Sequence, residues 1–142
     1  MPNILLVEND RAQSVLFTKY LTDADYTVTL AQSGDEGLGI YQARKADLDG
    51  VVTNHPMPII DGIGLCRQIR EDDSEMPLIM MTTYATVELV IEALRIPVND
   101  FFTIPFKAKN FVASIEKLVP PYMISKQRQI SRRWQSVERR GD

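Results

Sequence analysis

The chain has 142 residues, 44% hydrophobic and 25% charged, enough to bury one full core and too few for two ordinary domains. No apolar run exceeds five residues, against the roughly 18–20 needed to cross a bilayer, so a helical membrane span is excluded. One cysteine, Cys66, and one histidine, His55, exclude a disulfide framework and a Cys- or His-based metal cluster; with no basic leader or cleavage signal after Met1, the expected compartment is the cytoplasm.

Residues 3–7 are continuously apolar after Asn3 and predict a buried strand, and residues 11–22 follow as a helix with Ala12, Val15, Leu16 and Tyr20 at helical spacing. Residues 26–31 alternate as a second strand. Ser33-Gly34-Asp35-Glu36 then reads as a capping box that opens a helix carrying Leu38 and Tyr41 inward. Residues 48–53 predict a third strand and 63–70 a helix with Cys66 on its apolar face. A fourth strand at 77–82 precedes a helix at 86–94 with Val87, Val90, Ile91 and Leu94 on one side. A fifth strand at 98–103 leads to a closing helix at 107–119 that buries Ala108, Phe111, Val112, Ile115 and Leu118.

Pro120-Pro121 marks the expected end of this unit, because proline lacks a donor N–H and disfavours helical geometry in the residue before it. The charge also changes sign nearby. Residues 1–125 hold 17 acids and 10 bases, a formal −7, whereas residues 126–142 hold 2 acids and 6 bases, a formal +4. The expected organisation is therefore a domain at 1–119 and an extension or linker at 120–142. In the extension, Ile130, Trp134 and Val137 fall at helical spacing among Lys126, Arg128, Arg132, Arg133, Arg139 and Arg140, which predicts a basic amphipathic helix.

Five βα units in about 120 residues imply a doubly wound parallel sheet with helices on both faces. Ligands in such sheets bind beyond the carboxyl ends of the strands. That rule selects Glu8, Asn9 and Asp10 after the first strand, residues 54–57 after the third, Thr82 and Thr83 after the fourth, and Ile104 and Pro105 after the fifth.

On these residues the sequence resembles the receiver domains of two-component response regulators, over roughly residues 2–119. Ile4-Leu5-Leu6-Val7-Glu8-Asn9-Asp10 is similar to the family's first strand and acidic pair, and Asn54 to Gly62, with Met57-Pro58 and Asp61-Gly62, to its phosphoacceptor loop. Thr82 matches the switch Ser/Thr, Phe101 the switch aromatic, and Ile104-Pro105-Phe106 the family's Lys-Pro-Phe. The resemblance implies a flavodoxin-like (βα)5 fold of strand order 2-1-3-4-5, here with a C-terminal helical extension, and a cis Ile104–Pro105 peptide. It also implies a pocket in which acids hold Mg²⁺, an Asp takes up a phosphoryl group, and Lys and Thr bind its oxygens.

Three of those positions differ. Asn9 stands at the second acidic position, Asn54 at the phosphoacceptor and Ile104 at the lysine. An amide cannot serve as the carboxylate nucleophile that forms an acyl phosphate, so Asn54 is expected to be inert. Glu8 alone keeps a charge for a metal, so Mg²⁺ is expected to bind weakly and no other cofactor is implied. Glu8 reads either as that residual cation site or as a solvated carboxylate paired with a lysine such as Lys107. Thr82 reads either as a working switch or as a satisfied hydroxyl at a strand end. Asp10 reads as the cap of the first helix, with a substitute acceptor as the alternative. His55 is expected to be a loop residue, and Thr83 to fill part of the pocket.

The expected function is that of a degenerate receiver-like module in phosphorelay signalling, not an enzyme, which acts by protein contact independently of phosphorylation. The alternatives are phosphorylation at a non-standard acid, or a receiver that forms part of a larger regulator. A sensor kinase or effector domain is the implied partner, through the face of the fourth helix, fifth strand and fifth helix with Phe101 at its centre. A homodimer through residues 123–140 or through that face is the other expectation. Nucleic acid is not expected to bind this chain alone, because 17 residues cannot supply a folded binding domain.

Overall fold

The computed structural model describes residues 1–140, the side chain of Arg140 aside. Five strands, β1 (Asn3–Val7), β2 (Thr27–Ala31), β3 (Gly50–Asn54), β4 (Leu78–Thr82) and β5 (Asp100–Thr103), alternate with α1 (Arg11–Asp23), α2 (Gly34–Arg44), α3 (Gly62–Asp72), α4 (Val87–Arg95) and α5 (Ala108–Arg140). A short 3-10 turn, Lys45–Asp47, joins α2 to β3. All pairs are parallel and the order is β2-β1-β3-β4-β5, as the resemblance implied.

The three central strands are fully or nearly fully buried, and their side chains alternate between two cores. Leu5, Val7, Val51, Leu78 and Met80 face Tyr41, Ile63, Leu65, Ile69, Leu89 and Ala93. Ile4, Leu6, Val52, Ile79 and Met81 face Phe17, Leu21, Phe111, Ile115 and Val119. Cys66 is fully buried in the first core, where burial pushes its thiol up to about 12. The starts of α1 to α4 each carry a side-chain cap: Asp10, Ser33, Asp61 and Thr86 accept from the backbone N–H three residues on.

Two helices bury a different face from the one their periodicity predicts. In α1 the inward residues are Ser14, Phe17 and Leu21, while Ala12, Val15 and Leu16 are exposed. Phe17 decides the rotation, because it stacks on Phe106 and packs near Phe111, and an aromatic ring buries more area than either aliphatic competitor. In α4 Leu89 and Ala93 point inward, leaving Val87, Ile91 and Leu94 exposed. Glu88, Glu92 and Arg95 share the polar face, and the apolar arc opposite them is wider than the strip the domain covers, so its Leu89–Ala93 edge is buried and the rest faces outward.

The largest correction concerns α5. It does not stop at Pro120-Pro121 but runs for 33 residues through both prolines. An internal proline costs a helix about 3 kcal/mol, partly through its missing N–H. Here the rings are exposed, and side-chain anchors hold the helix immediately beyond them. Tyr122 Oη donates to Asp73, Ser125 Oγ to Glu75, and Lys126 Nζ to the carbonyls of Ala46 and Leu48 and to Asp49. The extension is helical as expected; within one chain its stripe of Ile130, Trp134 and Val137 is exposed, and residues 141 and 142 of the expected segment lie outside the described residues.

Candidate functional site

Parallel pairing collects the selected residues at one end of the sheet. Val7 lies beside Thr53, so Glu8 emerges next to Asn54; Asn54 pairs with Met81, and Thr82 with Thr103 just before Ile104.

Glu8 and Asn54 form the centre. Asn54 Nδ2 donates to Glu8 Oε2 at 2.6 Å, and Asn54 Oδ1 accepts from the His55 backbone N–H at 2.7 Å, so both ends of the amide are engaged. Glu8 is 1% exposed, and its Oε1 is buried with no hydrogen-bond partner. It is therefore not a solvated carboxylate, and its bond goes to Asn54 instead of Lys107. Burial raises its carboxyl to about 6, against the downward pull of the Asn54 hydrogen bond.

The side chains at the remaining positions make no hydrogen bond to that pair. Asn9 and Asp10 are exposed, and Asp10 Oδ1 accepts from the Gln13 N–H at 2.9 Å as the cap of α1. Thr82 is fully buried and its Oγ1 accepts from the Tyr84 N–H at 3.2 Å, which is the satisfied hydroxyl at a strand end. Thr83 is exposed and does not fill the pocket. Phe101 is half-buried against the α2–α4 core, whereas Ile104 is half-buried against the opposite core. The Ile104–Pro105 peptide is cis. The side chain at the lysine position thus belongs to an apolar cluster, not to a charged pocket.

The β3–α3 connection, which frames the pocket, depends on two glycines. A Cβ at Gly34 would lie 1.7 Å from the Ile60 carbonyl oxygen, so only glycine lets the first turn of α2 seat that loop. A Cβ at Gly62 would come within 2.6 Å of the Asn54 carbonyl oxygen. Between them Ile59 sits at φ 70° and is 85% exposed, an unfavourable conformation for a β-branched residue. His55 is half-buried in this loop with Nδ1 unpartnered. Neither Gly34 nor Ile59 stands out in the sequence as part of the site; the Ser33 cap just before Gly34 was the available signal that a loop could dock there.

The model of the response regulator receiver domain matches residues 4–116. The chain belongs to that family. Among curated receiver proteins, the response regulator MprA of Mycolicibacterium vanbaalenii is 30% identical over 116 residues, which cover 82% of this chain and 49% of that protein. The transcriptional regulatory protein CusR of Escherichia coli is 27% identical over 82% of this chain and 50% of that protein. The chain thus spans about half the length of the curated relatives it matches. A receiver domain from Clostridium thermocellum superposes with a TM-score of 0.82 at 21% identity, covering 87% of this chain and 98% of that one. A CheY-like receiver from Methanospirillum hungatei gives 0.81 at 20%, covering 88% and 98%. These two support the receiver fold alone. Among the described residues of this receiver domain, no three His, Cys, Asp or Glu side chains are grouped to hold a metal ion, and no helix is long and apolar enough to cross a membrane.

Proposed function

We propose that this receiver domain works without phosphorylation, as a cytoplasmic protein-interaction module in two-component signalling. The observation that carries the reading is the Asn54–Glu8 hydrogen bond. The residue at the acceptor position offers an amide N–H where chemistry needs a carboxylate oxygen, and that N–H occupies one of the two Glu8 oxygens. A divalent cation does not fit this donor set: Asn54 turns its donor group toward the pocket, Asp10 is engaged as a cap, and Asn9 is neutral. With Ile104 packed among apolar side chains, the lysine position itself supplies no charge to offset a phosphoryl group.

Contact then carries the signal. Val87 and Leu94 on α4 are 73% and 66% exposed, Phe101 on β5 is half-buried against the core that holds Leu89 and Ala93 of α4, and the α4–β5–α5 face is the proposed surface for a sensor kinase or effector domain. A second reading, in which the chain is the receiver part of a longer regulator, is favoured by its spanning about half of the curated relatives.

The test is incubation with a small acyl phosphate and Mg²⁺, followed by intact-mass measurement. No added phosphoryl group is expected. A gain of one phosphoryl group that maps to Asp10 or Glu8 overturns the reading in favour of an atypical acceptor.

A further inference from the structure

Among the described residues, none of α5 beyond Met123 belongs to either core. From Gln127 to Arg139 every residue is exposed except the half-buried Ser136. A helix of that length is marginal in water without packing, and this one presents an apolar groove lined by Ile130, Arg133, Trp134 and Val137. Gln127, Ile130, Trp134 and Val137 recur at intervals of three, four and three, the a, d, a, d positions of two successive heptads.

The charges decide the occupant and its direction. In this register the g positions are Lys126, Arg133 and Arg140, all cations, and Glu138 is an e position. Antiparallel helices would set g against g, cation against cation. Parallel helices set g against the e position five residues on in the partner, which joins Arg133 to Glu138 on both sides of the seam. Neither residue takes part in an ion pair among the described residues of one chain. Gln127 at an a position costs stability but fixes the register against its own copy.

We infer that residues 127–140 form a parallel two-stranded coiled coil with a second copy of this chain, its seam built from Gln127, Ile130, Trp134 and Val137 and its direction set by Arg133–Glu138 pairs. Both receiver domains then lie at the same end of the seam. The inference does not depend on the chemistry of the pocket. Two heptads bury little area, so association falls in the micromolar range.

Sedimentation of the full chain, from low micromolar to millimolar concentration, should show a monomer–dimer equilibrium. Trp134→Glu should abolish it without changing the melting of the domain, because Trp134 touches no core. Arg133→Glu and Glu138→Arg should each weaken the dimer about tenfold, and the double variant should restore it, since the pair is re-formed with exchanged signs. Ile130→Cys and Val137→Cys should each cross-link to their own copy under mild oxidation, which an antiparallel arrangement permits for one of the two at most. A monomer at all concentrations, a dimer unaffected by Trp134→Glu but lost on Val87→Glu in α4, or charge variants that fail to compensate would each overturn the seam. So would a monomer whose basic extension binds duplex DNA.

Discussion

Tyr122 Oη lies 2.8 Å from Asp73 Oδ2, a bond across 49 residues that ties α5, just past its two prolines, to the loop after α3. Burial and this carboxylate push the phenol well above its ordinary value, so it stays a neutral donor at every working pH. Asp73 also accepts from the backbone N–H groups of Glu75 and Met76, which makes it the junction of helix and loop. Tyr122→Phe keeps the ring and removes the donor. It should lower stability by about 1 kcal/mol in urea unfolding and reduce the helical signal at 222 nm as the extension frays. An unchanged signal would mean that the extension needs no anchor there.

Glu8 predicts a pH dependence. Its carboxyl titrates near 6 in the folded protein, above its ordinary 4.5. The folded state thus holds this proton more tightly than the unfolded chain. Its contribution is complete below about pH 4.5 and is lost as the pH rises through about 6. Glu8→Gln keeps an oxygen for Asn54 and carries no charge, so it should be more stable than the native protein at pH 7. Its advantage should shrink by up to about 2 kcal/mol as the pH falls to 4.5. Thermal melts of both proteins across that range check the slope.

Repair of the acceptor meets the same carboxylate. Asn54→Asp sets a second acid against Glu8 in place of a hydrogen-bond donor, and two carboxylates this close resist joint ionisation. The variant should melt lower than the native protein at pH 7 and recover toward pH 5. It should phosphorylate little by itself. Adding Asn9→Asp supplies a metal ligand and Ile104→Lys a counter-charge, so the three changes should be strongly non-additive in rate. If Asn54→Asp alone reacts as fast as the triple variant, the pocket account fails.

Ile59 offers a gain in stability. At φ 70° a β-branched residue is strained by roughly 1–2 kcal/mol, while Asn tolerates that region and Ile59 has little packing to lose. Ile59→Asn should stabilise the protein by about 0.5–1 kcal/mol in denaturant titration. A loss would show that the exposed side chain itself holds the loop.

Most of the architecture was readable because apolar runs of strand length alternate with helical periods, and parallel strands must sit at the centre of such a chain. The site positions were readable from their place after each strand. What escaped the sequence has physical reasons. Helix faces were misjudged where two apolar stripes compete, as with Val15 and Leu16 against Phe17, because the choice depends on partners such as Phe106 that are distant in sequence. The burial of Glu8 was hidden because a charged side chain is normally solvated, and only the pairing of β1 with β3 brings Asn54 beneath it. The continuation of α5 was hidden because local proline rules carry no information about anchors supplied by Asp73, Glu75 and Asp49.

Cys66 is the sole sulfhydryl of the chain, fully enclosed and with its thiol raised to about 12. Its thiolate fraction at neutral pH is negligible, so maleimides and mild oxidants find no native target while the fold persists. A cysteine introduced anywhere on the surface is then a unique chemical handle, and a fluorophore or spin label placed on α4 or on the far end of α5 reports from that point alone. The same enclosure makes Cys66 a clock for opening: its rate of modification under native conditions measures how often the sheet parts from α3.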